Sequence, residues 1–375
     1  MNMAFSIDID RIEKIIEERE LRMSKFFRGE SYVPIICHYQ RKRAPEKNIL
    51  CLGNDFDKKI MLENQLSMIE DMLLVNEDYL PFLCPWYGCG VYAEAFGCPT
   101  DYYEDKDSWT HPVATNAEEA SRLGKPSFEK SPMMKRILET TEFFLEQTKG
   151  KIPIALTDTQ SPLDTAMIIW EQSSFLTSFY ESPDVLHNLL NDITELIIEF
   201  SKKQIQLIGK ENVFGPGFHM FSQKGGSGLD VSDDILDLLS VQTVEEFDKP
   251  YMEKIAAEFD GVAIHSCGNI ERHLPVLSKI SKLCQLNFKI NPSEPNTPEI
   301  IRECFKGTGI YLNILIGQGF DPQWDKYGVK NYLEYITEYV LPRLHDKNLK
   351  YIINFDVDNK EDAKIFRNKI REKIL

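Results

Sequence analysis

Ile9, Ile12, Ile16, Met23 and Phe27 recur at helical spacing between Asp8 and Phe27, with Gly29 following as a stop. This pattern predicts an amphipathic helix at the start of the chain. Beyond it, short apolar runs alternate with long helical patterns. The runs are Val33–Cys37, Phe82–Cys84, Ile152–Leu156, Val213–Phe218, Gly261–Ile264, Cys284–Phe288, Ile310–Leu315 and Tyr351–Phe355. The segments between them include Met61–Val75, Met133–Gln147, Leu163–Tyr180, Val185–Ile208, Ile235–Phe259, Leu333–Leu344 and Asp362–Ile374. Leu186, Leu189, Leu190, Ile193, Ile197 and Phe200 show the i, i+3, i+4, i+7 spacing of a buried helix face. Shorter helical pieces fit near Ile270–Ile280 and Pro298–Phe305. Strands that are apolar on both faces and separated by helices predict a parallel sheet covered on both sides. Eight such units favour an α/β fold closed as a (β/α)8 TIM barrel with an N-terminal helical extension. No repeat, low-complexity tract or linker divides the chain, so residues 1–375 are expected to form a single domain.

Pro85–Lys130 departs from the pattern: it holds Trp86, Tyr87, Gly88, Gly90, Gly97, Tyr102, Tyr103 and Trp109 with little helical period. As an excursion from the second strand it reads either as an ordered surface insertion or, given its aromatic content, as a wall or lid over a pocket that Trp86 and Tyr87 help to line.

Composition narrows the function classes. The chain has 375 residues, 42% hydrophobic and 27% charged, which excludes a disordered or fibrous protein. With 43 Lys and Arg against 59 Asp and Glu, its net charge of -16 disfavours nucleic acid and anionic lipid as partners. Asp8, Asp10, Arg11, Glu13 and Lys14 stand where a secretory signal needs apolar residues, and no run is long enough to span a membrane, so a cytoplasmic location is expected. In a reducing compartment the eight cysteines read as buried hydrophobes or metal ligands rather than disulfide partners.

Barrel chemistry sits at the C-terminal ends of strands, which filters the polar residues. His38, Tyr39, Gln40 and Arg41 follow the first strand; Asp158, Thr159 and Gln160 the third; His219 and Gln223 the fourth; His265 and Cys267 the fifth; Gln318 the seventh; and Asp356 the eighth. His265 and Cys267 are two apart, so both point to one face of an extended strand that Gly268 ends. Imidazole nitrogen and thiolate sulfur are ligands that Zn2+ prefers, although a buried Cys beside a hydrogen-bonded His has the same spacing. A catalytic zinc needs a third protein ligand and an open position. Asp356 is the candidate across the barrel mouth, with Asp358 further out and His219 and Glu94 as other options. The glycines of Gly225–Gly228, followed by Asp230, Ser232, Asp233 and Asp234, fit a loop that approaches ligand with backbone amides, or a capped helix start.

Several of these segments together resemble the uroporphyrinogen decarboxylase superfamily, and within it the cobalamin and coenzyme M methyltransferase branch. The resemblance is carried by Arg22–Glu30 with Val33 and Pro34, Glu94–Gly97, Asp158–Asp164, Gly228–Asp234, Phe247–Tyr251 and above all His265-Ser-Cys267-Gly-Asn269. It implies a (β/α)8 barrel in which the His-x-Cys pair and a later Cys bind zinc, and the metal activates an acceptor for a methyl group from methylcobalamin on a partner protein. Here Asp356 stands at the later position. The expected function is therefore zinc-dependent methyl transfer between a corrinoid and a small acceptor. His265, Cys267 and His219 would be catalytic, and Trp86, Tyr87, Asp158, Gln160, Gln223, Asp230 and Gln318 would bind substrate or cofactor. Two alternatives stay open: a metal-free lyase acting on a carboxylated tetrapyrrole or small acid through Arg41, Lys42 and Arg43, and a non-catalytic corrinoid-binding barrel. The expected partners are a small-molecule substrate and a corrinoid protein; a homodimer is open.

Overall fold

A computed structural model of the chain describes residues 8–30, 32–39, 57–103, 108–293, 296–319, 322–357 and 359–374. The first helix runs Ile9–Phe27, and the Asp8 carboxylate caps it by accepting from Arg11 N. Six parallel strands follow around the molecule: β1 (Ile35–Tyr39), β2 (Leu229–Ser232), β3 (Val262–Ser266), β4 (Leu283–Ile290), β5 (Tyr311–Ile316) and β6 (Lys350–Val357). Their order in the sheet is β1-β6-β5-β4-β3-β2. Single parallel bridges continue the wall, Gln160 to Ser232, Ile154 to Val213 and Ile154 to Leu83. Among the described residues no ladder joins Leu83 back to β1. That seam is instead held by Asn76, whose carboxamide accepts from Cys37 N (2.6 Å) and donates to Cys37 O (2.7 Å). The wall thus runs around the molecule in chain order, with extended ladders on one side and single bridges on the other.

The fourth position differs from the sequence pattern. Of Val213–Phe218 only Phe214–Gly215 is a strand, paired antiparallel with Gln223–Lys224. The partner of β3 is β2, in a segment read from its glycines as a loop. Asp230 and Ser232 interrupt its hydrophobicity, but Leu229 and Val231 alternate with them and are fully buried in the layer between wall and helices.

The helices form where periodicity places them. The helix Pro183–Ile208 buries Leu186, Leu189, Leu190, Ile193, Ile197 and Phe200, starts with Pro at its first turn and stops at Gly209, whose φ of 84° suits glycine. Each such side chain contributes about 1.5–3 kcal/mol of burial. Inside the wall a second, smaller core of Ile36, Leu80, Ala155, Phe214, Phe221 and Ile352 is closed by Met23 and Phe26 of the first helix. The Phe26 ring meets Phe221 edge-on at 5.6 Å. The apolar plug fills the N-terminal half of the barrel and leaves polar side chains for the opposite mouth.

Candidate functional site

β3 ends in the His-x-Cys pair. His265 Nε2 and Cys267 Sγ are 3.1 Å apart, and Cys267 N donates to Asp234 Oδ1 at 2.6 Å. Ligand atoms of Asp234, His265 and Cys267 all lie within 4.8 Å of one another. The local fold explains this convergence. Asp234 lies two residues past the end of β2, the neighbour of β3, and two backbone amides, Asp234 N (2.7 Å) and Ile235 N (2.9 Å), donate to the carboxylate of buried Asp164. That pins the turn and aims Asp234 at the end of β3. One imidazole, one thiol and one carboxylate suit a zinc ion with an open fourth position.

Asp356 is outside this group, which corrects the expected third ligand. It lies on β6 in register with His38 of β1, three strand spacings from β3, roughly 14 Å along the wall at about 4.8 Å per strand. The sequence reading placed it across the mouth from His265; the neighbouring turn after β2 supplies the carboxylate instead.

A belt of carboxamides orients the pair. Asn287 Nδ2 donates to the backbone oxygen of Asn313 (2.6 Å), which leaves Asn287 Oδ1 as acceptor for His265 Nδ1. The imidazole proton therefore sits on Nδ1, and Nε2 turns its lone pair toward Cys267. Asn354 Nδ2 donates to Asn313 Oδ1, and His38 Nε2 donates to Asn354 Oδ1 at 3.3 Å. Asn313 Nδ2 donates to His219 O at 2.6 Å. The His219 ring stacks on His265 with centroids 4.1 Å apart, and Asp230 Oδ2 holds it by accepting from His219 N (3.0 Å) and lying 3.1 Å from Nδ1. Gly217 permits this approach, since a Cβ there would come within 2.2 Å of Asp230 Cβ.

Burial works against charge at His265, His219, Cys267 and Asp158. It lowers the pKa of His265, helped by the neighbouring His219, so that imidazole is neutral and fit to ligate. Burial also opposes charging His219, yet Asp230 and Asp158 outweigh it and the pKa rises. Burial and then Asp234 raise Cys267, with Lys289 acting the other way. Asp158, buried beside Cys89 and opposed by His219, is pushed up to about 6.

Behind Asp234 lie two more buried carboxyls, Asp233 and Asp248. Ser161 Oγ donates to Asp233 Oδ1 at 2.9 Å, and Asp248 shares a side-chain hydrogen bond with Asp233, which needs a proton on one of the two carboxyls. Burial, with Asp164 adding to it, pushes Asp248 up to about 8. The folded chain then holds a proton that the unfolded chain loses near the ordinary value of 3.8. The stability present below pH 4 is lost as pH rises toward 8. The melting temperature should fall from pH 5 to pH 8, and Asp248→Asn should flatten that slope. At pH 8 the variant should gain about 1 kcal/mol or more, of order 2 °C in Tm for a large domain. A thermal melt series at fixed ionic strength decides it, and an unchanged slope in the variant refutes it.

The remaining expected residues divide. Asp158, Gln160, His219 and Asp230 gather near the pair, Gln160 Nε2 donating to Asp158 Oδ2 at 3.0 Å. Trp86 packs edge-on against Phe218 at 5.3 Å. Tyr87 does not reach the mouth: it is buried in the helical layer, with its hydroxyl 2.6 Å from Thr140 Oγ1. Gln223 belongs to the short hairpin that Lys224 N ties to Glu20 of the first helix, and Gln318 is exposed beyond β5. Glu94 bonds Tyr102 within the excursion. That excursion begins at the mouth, where Cys89 meets Asp158, and then packs its helix Val91–Ala95 on the outer helices. Arg41, Lys42, Arg43 and Asp358 lie outside the described residues. Asp234, Asn287, Asn313 and Asn354 were not expected. Asn313 and Asn354 did leave a signal, each the lone carboxamide in an otherwise apolar run, whereas Asn287 shares its strand with Gln285 and Lys289.

Parallel strands around an apolar plug, with titratable groups at their C-terminal ends, define the α/β-barrel class of enzyme folds. The chain belongs to the uroporphyrinogen decarboxylase (URO-D) family, whose model matches residues 22–209. A methyltransferase from Methanosarcina mazei has the same fold, with a TM-score of 0.63 and 16% identity over 94% of this chain and 98% of that one. A GH18 chitinase from Pseudoalteromonas aurantia reaches a TM-score of 0.34 at 10% identity, covering 76% of this chain and 99% of its own, too low to bear on the fold. No curated protein matches the sequence. No helix among the described residues is long and apolar enough to cross a membrane.

Proposed function

We propose that the protein is a zinc-dependent methyltransferase of the URO-D family, moving a methyl group between a corrinoid carried by a partner protein and a small acceptor. The observation that carries the reading is the convergence of Asp234, His265 and Cys267 at the ends of adjacent strands. Zinc bound there supplies Lewis acidity that favours the deprotonated form of an acceptor at the open position. The chain's own groups do the rest. Asn287 keeps His265 in the tautomer that presents Nε2, and Asp164 holds the turn that presents Asp234. Asp230 engages His219 through Nδ1, which leaves Nε2 as the atom that can give or take a proton. With a carboxylate as third ligand the donor set is harder than one with two thiolates, which favours oxygen or nitrogen acceptors over thiols.

The test is metal content together with turnover of methylcobalamin. Protein purified without added metal and then titrated should take up stoichiometric zinc. With alcohols, amines or thiols as acceptors, it should then consume methylcobalamin, followed by absorbance. Protein that stays zinc-free in excess zinc defeats the reading.

A further inference from the structure

Below His265 the barrel encloses a cavity of about 370 Å³. Its walls include Met72, Leu80, Phe82, Phe214, Phe218 and Phe221, and its polar end is formed by His38, His219, His265 and Asn354. Phe82 and Phe214 stack ring to ring at 4.3 Å. None of the described lining residues is Lys or Arg, and the one lining carboxylate, Asp71, is already engaged. The polar end is also largely committed: Asn354 and Asn313 bond one another, His38 donates to Asn354, and His219 is held by Asp230.

We infer that this cavity binds the small substrate, and that the substrate is uncharged, compact and largely apolar. About one ring, with a single hydrogen-bonding heteroatom such as that of a methyl ether or an alcohol, matches the space. The volume lies at the lower end of small-molecule pockets, and apolar cavities less than half this size hold benzene. A carboxylate or ammonium placed among these phenyl and methionine side chains would lose much of its hydration, and the described lining groups that could oppose its charge, His219 held by Asp230 and the engaged Asp71, already have partners. One neutral heteroatom, by contrast, meets the few donors and acceptors left at the His265 end. The apolar body would then lie toward the plug and the heteroatom toward Asp234, His265 and Cys267.

This inference rests on the proposed methyl transfer for its chemistry. Binding is therefore measured on the whole chain in chelator, without metal or corrinoid, so that the two readings fail separately. The probes are anisole, benzoate and benzylammonium, three single-ring molecules that differ mainly in charge, followed by calorimetry or ligand-observed NMR. Anisole should bind at least tenfold more tightly than either charged probe. Leu80→Phe, which fills the cavity away from the metal-binding groups, should weaken anisole at least tenfold and leave zinc uptake unchanged. Should that variant not fold, Phe82→Ala carries the test, because the widened cavity should favour 1-methoxynaphthalene over anisole relative to wild type. A charged probe binding as tightly as anisole overturns the inference. So do no anisole binding up to its solubility limit, or a wall substitution without effect on the neutral probes.

Discussion

Cys267→Ala should abolish zinc binding and, with it, any consumption of methylcobalamin, because it removes the one thiol among the three converging groups. Asp234 is the more informative position. Asp234→Asn keeps an oxygen to accept from Cys267 N, which now donates to Oδ1 at 2.6 Å, but gives up the negative charge. Zinc affinity should then fall by about 10–100-fold with the turn intact. Asp234→Cys should restore affinity or raise it by supplying a second thiolate. Asp356→Ala, three strands away along the wall, should bind zinc like wild type. Competition against a chromophoric chelator across the four variants measures each constant. Loss of zinc in Asp356→Ala with retention in Asp234→Asn would return the third ligand to the end of β6.

The sequence made the fold legible wherever burial is two-sided. Tyr351–Phe355 and Ile310–Leu315 are covered on both faces or packed inside the wall, so their apolar runs mark β6 and β5 to within a few residues. β2 was hidden because half its side chains face the mouth. Leu229 and Val231 are too few to make a run, and Gly225–Gly228 before them reads as a turn. Missing β2 also hid Asp234, since a carboxylate counts as a strand-end group only once its strand is recognised. The closeness of His265 and Cys267 was legible because the two stand two residues apart at the end of β3, where that spacing gives them a common face. Asp234 and Asp356 are separated from them in the chain, and only the strand order decides which lies beside β3. Tyr87 illustrates the opposite error: aromatic content suggested a pocket wall, but nothing in the sequence separates a ring at a mouth from one packed between helices, where its hydroxyl meets Thr140.

Asn287 is the residue through which the belt acts on the His265–Cys267 pair. Its Nδ2 is committed to the Asn313 backbone oxygen, so its Oδ1 can only accept, and His265 Nδ1 must carry the proton. Asn287→Leu removes that constraint. His265 could then place its proton on Nε2, the atom beside Cys267 Sγ, and the Asn313 oxygen would lose its donor. Zinc affinity should fall by about 10–100-fold, the usual consequence of losing a group that orients a metal-ligating histidine. Stability should drop by about 1–3 kcal/mol for the unpaired carbonyl. Asn287→Asp separates the two effects, because it keeps an acceptor for Nδ1 while losing the donor to Asn313. It should hold zinc nearly as well as wild type yet melt lower. If Asn287→Leu binds zinc with wild-type affinity, the ring is oriented by its stacking on His219 rather than by the belt; if Asn287→Asp loses zinc as completely as the Leu variant, the donor to Asn313 is the contact that matters.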